Sequence, residues 1–316
     1  MDISKIIADF GNYYENNGQN MARIVKQVRA KSSIDNEATI VETNDTVWKA
    51  AEARMTRVIQ PFQKVWTPIN SPLSFEPVEI RQYNLKIDVE EYPDDVKDTW
   101  LAFLEGEGIN RAEWPFIRWY IEEHLLPQAQ EDLELKEKYK GVYAAPTSGT
   151  AGAASTAMNG LKKIINDHIS TGRIVPAPTG ALDTDIVGFV EQLEDWVDAM
   201  NPLITSNPMT LKMNPQLYRR FLRGMNKKYN TNYNQTDVAK LWEYPINVKP
   251  ELALASSSKI FMTTKQNFIS LRRKMNNQSK VQVEGVDRKV KLFTDFSMGL
   301  GFVIPELVMT NDLDLV

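Results

Sequence analysis

The sequence contains no cysteine and only two histidines, His124 and His168. The first absence excludes disulfides, thiolate nucleophiles and cysteine-based zinc or iron–sulfur centres, and it fits a reducing compartment. The second leaves almost no material for a histidine zinc site or a Ser-His-Asp triad. His124 falls in a strongly helical stretch and is expected to be a packed core residue rather than a base. No apolar run approaches the roughly 18 residues that a membrane helix needs. The opening MDISKIIADF carries an acid at its second residue and no apolar signal core, so a secretory leader is not expected. An excess of one charge is also missing. Against 41 acidic residues stand 37 basic ones, a net charge of −4, which argues against a dedicated DNA-binding domain.

What remains is an ordinary globular composition, 42% hydrophobic and 25% charged, over 316 residues. A chain of that length usually exceeds one compact core, so two lobes, or one core with long excursions, are expected. The most strongly patterned stretch is residues 114–140, WPFIRWYIEEHLLPQAQEDLELKEKYK. In its first half Phe116, Ile117, Trp119, Tyr120, Ile121, Leu125 and Leu126 leave little polar face, and a helix apolar on most sides must be covered on most sides. Pro115 suits the first helical position, and Gly141 suits a left-handed residue just past the end. Lys136, Lys138 and Lys140 complement the helix dipole there. Pro127 removes one ladder bond and predicts a bend near Glu123. This is a structural spine.

Ahead of it, residues 1–45 are polar and asparagine-rich. Residues 21–31 form one amphipathic piece, with Ile24, Val25 and Val28 on one face and Arg23, Lys26, Arg29 and Lys31 around it. A peripheral helix with a solvated basic face is expected, in preference to an arm on nucleic acid. Residues 47–59, VWKAAEARMTRVI, read as a short helix capped by Thr46 and ended by Pro61. From residue 62 the texture changes to prolines (Pro68, Pro72, Pro77) and strict alternation. Tyr83, Leu85, Ile87 and Val89 are apolar, with Asn84, Lys86, Asp88 and Glu90 between them. That is strand periodicity with one covered face, and residues 62–69 are its expected hairpin partner. A two-stranded ribbon is marginal alone in water, so it needs a surface to lie on.

Further along, residues 94–105 predict a helix with acids in its first turn. APTSGTAGAASTA (145–157) predicts a loop between lobes, lacking the Gly-Lys-Ser/Thr ending of a phosphate cradle. Ile186, Phe189, Val190, Leu193, Trp196, Val197 and Met200 make an amphipathic stripe capped by Asp183 or Thr184. Strands are expected at 209–213 and 259–263, and a helix from Pro215 capped by Asn214. A helix is also expected at 266–275. From Lys289 another alternating strand runs to a turn at 297–301 and a closing strand pair. Irregular mixing of helix and strand indicates an α+β fold rather than a parallel βαβ sheet.

No catalytic constellation stands out. Asp94, Asp95, Asp98, Glu105 and Glu107 supply carboxylates for a metal-dependent enzyme, but first-turn acids that favour the helix dipole account for the first three more simply. Arg272, Arg273, Lys274 and Lys280 read as a solvated face rather than a DNA contact. No cofactor is expected.

The order of these elements resembles one family, the major capsid protein of tailed double-stranded-DNA phages with the HK-ninety-seven-type fold. Within it the chain most resembles coat proteins of Bacteroidetes-infecting, crAss-like phages. The likeness is carried by WYIEEHLLPQAQEDLELKEKYKG for the spine helix and by residues 62–91 for the extended loop. MTLKMNPQLYRRFLRGM and KIFMTTKQNFISLRRKM match the axial domain, and VKLFTDFSMGLGFVIPELVMTN matches the closing strands. The resemblance implies an N-terminal arm (1–45), a helix and extended loop (46–91), a peripheral domain (92–143 with 289–316) and an axial domain (144–288). It implies pentamers and hexamers that close an icosahedral shell around the phage genome, with portal, cement or scaffold proteins as further partners and no membrane. It also implies that Phe75, Val78, Ile80, Tyr83, Leu85, Ile87 and Val89 contact an adjacent subunit. An encapsulin-type compartment of the same fold is the alternative.

Overall fold

The computed structural model describes residues 37–55, 57–69, 73–107, 115–230, 239–241, 244–274 and 281–315. The basic segment 21–31 and most of the N-terminal arm lie outside them. In chain order the elements are β1 (Thr39–Glu42), β2 (Val47–Met55), β3 (Leu73–Arg81) and β4 (Tyr83–Glu91), then α1 (Pro93–Glu107). The spine, α2, runs over 116–137. Next come α3 (Leu161–Ser170), α4 (Ile186–Asp198), the single turn α5 (Pro202–Thr205), β5 (Met209–Met213) and α6 (Pro215–Tyr229). The chain closes with β6 (Ile246–Pro250), β7 (Phe261–Thr263), β8 (Phe268–Arg272), β9 (Gln282–Val286), β10 (Lys289–Phe302) and β11 (Met309–Thr310).

Strand β10 organises the first sheet. Its Val290–Met298 stretch pairs antiparallel with β4, and its Met298–Phe302 stretch with β8. Strand β9 pairs with its beginning, while β1 adds to β8 in parallel. The two alternating stretches of the sequence, β4 and the start of β10, are thus each other's partners, and β4 keeps the expected two-residue burial period. A second sheet has the order β11-β7-β5-β6. Helices α4 and α6 cover it, with Phe189, Val190, Leu193, Phe221 and Met225 packed on Leu211, Met213 and Met262. Helix α1 and the apolar half of α2 close over Val290 and Leu292 of the first sheet.

The spine forms as the sequence dictates, with Phe116, Ile117, Trp119 and Ile121 buried. Pro127 has no N–H for the Glu123 carbonyl, and the helix answers with a π-helical segment over Tyr120–Leu125 just before it. Pro115 takes the cap position, one residue earlier than expected. Gly141 is not left-handed. A Cβ there would run into the carbonyl oxygens of Met158 and Glu137, so close approach and not backbone sign requires glycine. The Glu137 carboxylate then accepts from the Ser155 and Ala157 N–H groups at 2.7 and 3.0 Å, tying the 145–157 loop to the spine end.

Several expectations are corrected. Residues 47–55 are strand β2 and not helix. Ala, Glu, Lys and Arg favour a helix in isolation, but a nine-residue antiparallel ladder with β3 outweighs that preference. Residues 268–272 are also strand. Every residue of β8 is buried between β1 and β10, and a short apolar run of that kind has no period that separates strand from helix. Arg272 is therefore buried, so the basic cluster is not one solvated face. Residues 62–69 form a loop instead of pairing with β4. No turn interrupts β10 at 297–301, because its glycines lie within the strand. Asp185, not Asp183 or Thr184, caps α4, accepting from Val187 and Gly188 N–H at 2.9 and 3.0 Å. His124 is exposed, its ring edge-on to Trp119 at 4.6 Å.

Candidate assembly surface

The ribbon is β2 with β3, in register from Val47 opposite Arg81 to Met55 opposite Leu73. At about 3.4 Å per residue its arms extend roughly 30 Å. Its root is fixed in three ways. Val78 and Ile80 are buried against Ile269 and Leu271 of β8. The Gln82 N–H donates to the Thr46 carbonyl at 2.8 Å. Gly299 and Gly301, two apart on β10, leave room for β3 to pass over the sheet. A Cβ on Gly301 would sit 2.7 Å from Ile80, and one on Gly299 would collide with the Arg81 carbonyl.

The far end is different. Residues 57–69 carry Phe62, Trp66, Ile59 and Val65 at 94%, 86%, 79% and 72% exposure, with Met55, Val58 and Leu73 exposed beside them. The loop is tied at its neck, where Gln60 Nε2 donates to the Thr67 carbonyl at 3.1 Å and Arg57 Nε to the Ile59 carbonyl at 3.1 Å. An apolar cluster this concentrated is the kind of patch that marks an interaction site, whereas scattered single exposures are not. Sequence reasoning missed it. The alternation places Phe62, Val65 and Trp66 in a hairpin strand beside residues 83–89, and only their bracketing by Pro61 and Pro68 signals a loop.

Of the seven residues expected at a neighbour, Val78 and Ile80 lie in the root and Tyr83 and Leu85 in the main core. Ile87 and Val89 are half-buried on β4, and Phe75 lies on the β3 arm opposite Ala53. The outer face of β4 is ionic. Lys86 pairs with Asp88, and Lys289 meets Glu90 at 2.5 Å, which holds the Lys289 ammonium above and the Glu90 carboxyl below their ordinary ranges.

Buried charge lies elsewhere. Lys212 of β5 points between the sheets, 4.6 Å from the Phe268 ring centre and 3.8 Å from Glu251, and burial pushes its ammonium down. Lys259 donates to Asn166 at 3.0 Å, and burial lowers it to about 8. Asp314 holds the end of the chain, accepting from Ser257 Oγ at 2.6 Å and pairing with Lys162 at 2.6 Å. The acids Asp94 and Asp95 occupy the first turn of α1, as helix electrostatics favours. Among the described residues no cluster of His, Cys, Asp or Glu could hold a metal ion, and no helix is long and apolar enough to cross a membrane.

No family model and no curated protein matches the sequence. Solved structures do match. A chain of the satellite phage P4 procapsid including size determination protein superposes with a TM-score of 0.55 at 10% identity, over 92% of this chain and 98% of that one. The capsid of Myoviridae phage XM1 gives 0.51 at 12% identity over 88% and 90%. The holo-SrpI encapsulin complex from Synechococcus elongatus PCC 7942 gives 0.51 at 10% identity over 90% of each chain. The three are a procapsid, a capsid and an encapsulin complex. Identities this low establish architecture alone, and the architecture is the HK-ninety-seven-type fold of phage capsids.

Proposed function

We propose that the chain is a structural protein that self-assembles into pentamers and hexamers, forming an icosahedral capsid around a phage double-stranded DNA genome. The observation that carries this is the ribbon: rooted by buried contacts, stiffened by a nine-residue ladder, and ending in apolar side chains that this chain leaves in solvent. Phe62, Val65 and Trp66 need a cover, and a neighbouring copy supplies one. Phe75, Ile87 and Val89 stay within the proposed contact, while Val78, Ile80, Tyr83 and Leu85 act by fixing the ribbon root. The proposed division keeps 92–143 with 289–316 as peripheral and 144–288 as axial, with β8 and β11 each pairing across it. Virion localisation, contact with packaged DNA, and portal, cement or scaffold partners belong to the same proposal. So does the narrower likeness to coat proteins of Bacteroidetes-infecting phages.

The encapsulin-type compartment is a second reading, favoured by one observation, an encapsulin match equal in score to that of the phage XM1 capsid. One experiment separates the readings. Purified full-length protein is imaged by electron microscopy with and without residues 57–69. Closed particles from the full chain and none from the loop-deleted, folded subunit support a shell; particles from both remove the ribbon argument. Absence of nucleic acid from particles made in a phage-infected host favours the compartment.

A further inference from the structure

Helices α4 and α6 pack on each other through one ridge of each and leave a second ridge in solvent. The inner ridge is internally paired. Arg220 Nη1 donates to the Asp183 carbonyl at 2.6 Å, and Lys228 reaches Glu194 at 2.7 Å and Glu191 at 3.4 Å. The outer ridge of α6 exposes Arg219, Arg223 and Lys227, four residues apart and so stacked along one side at about 6 Å intervals. The outer ridge of α4 exposes Asp195 and Asp198, with the Lys228-paired Glu191 one turn before them at the ridge edge. Arg219, Arg223, Asp195 and Asp198 make no side-chain hydrogen bond or ion pair with any described residue.

Two observations make the acidic ridge more than a solvated face. Asp195 and Asp198 stand in the last turn of α4, where no basic residue accompanies them and the helix dipole opposes their charge. They are unfavourable to this subunit taken alone. Asp195 and Glu191, with Asp183, also line a cleft of about 720 Å³ between the 178–184 loop and α4, large enough to receive long cationic side chains. The same lobe therefore carries an acidic face, in which the Asp195 and Asp198 side chains have no partner among the described residues, and a basic ridge, in which those of Arg219 and Arg223 have none. Two different, complementary patches on one molecule are what a head-to-tail contact requires, and such contacts close into rings.

We infer that, within the shell proposed above, the Arg219–Arg223–Lys227 ridge of one copy docks on the Glu191–Asp195–Asp198 face of the next copy around the ring. The contact rests on the shell reading and assigns its in-ring polarity. Three full-length variants test it: Asp195→Lys with Asp198→Lys, Arg219→Glu with Arg223→Glu, and all four together. Each pair should cut particle yield at least about tenfold, since like charges then face each other. The Asp195→Lys, Asp198→Lys subunit should melt no lower than wild type, because lysines suit a helix C-terminus. The fourfold exchange should restore particles, which no folding defect would do. Normal assembly by either pair, or no recovery in the fourfold exchange, overturns the contact and leaves the shell standing. Wild type that forms no particles overturns both.

Discussion

Trp66 offers the sharpest test of the ribbon, because it contributes almost nothing to the isolated subunit. It is 86% exposed, so Trp66→Ser removes no intramolecular contact of consequence, and subunit stability should stay within about 0.5 kcal/mol of wild type. A neighbour that covers the indole gains roughly 2–3 kcal/mol from that side chain alone. Losing it weakens each ribbon contact by about 30- to 150-fold. In the proposed shell every copy would give one ribbon contact and receive one, so the subunit concentration needed for assembly should rise at least tenfold. Light scattering against protein concentration measures that threshold, and differential scanning calorimetry checks the subunit. Unchanged assembly shows that the tip faces solvent in the particle. A melting temperature several degrees lower shows that the indole is covered within its own chain. Either result refutes the reasoning.

Other expectations can be checked on the unassembled subunit. Gly299→Ala places a Cβ against the Arg81 carbonyl; it should cost roughly 1–3 kcal/mol in denaturant unfolding and raise hydrogen exchange in β3. Glu137→Ala removes two charge-assisted bonds to the Ser155 and Ala157 N–H groups and should cost about 3 kcal/mol, with exchange rising in the 145–157 loop. Lys259 loses its proton at about 8 in the folded chain and at 10.5 when unfolded. The unfolded state therefore binds more protons across that window, so stability should rise with pH by up to about 3 kcal/mol, and Lys259→Met should flatten the rise. Tyr120 opposes it higher up. Its hydroxyl is pushed up to about 12, chiefly by burial, so above pH 10 the native state holds the extra proton and stability should turn downward.

Periodicity made the spine, β4, the start of β10 and the stripe of α4 legible, because each has one covered face and a clean repeat. It failed where partnership decides. The VWKAAEARM of β2 is composed of helix formers and becomes strand only because β3 lies beside it. The FISLR of β8 is buried on both sides and shows no period at all. The ribbon was anticipated but placed one strand too late in the chain, since Tyr83–Glu91 alternates more strongly than either true arm. The tip at 57–69 was illegible for a plainer reason. A sequence tells which side chains are apolar, not which of them a fold declines to cover.

Strand β10 has a consequence for timing. It joins β4 across roughly two hundred intervening residues, and its glycines form the bed on which β3 is seated. During synthesis the ribbon leaves the ribosome long before that bed does. A half-made chain can display the oily tip but has nothing to brace it against, so it cannot grip a sister molecule firmly. In the proposed shell, competence to join the lattice would arrive only once β10 is made, and copies without it would be kept out of the growing wall.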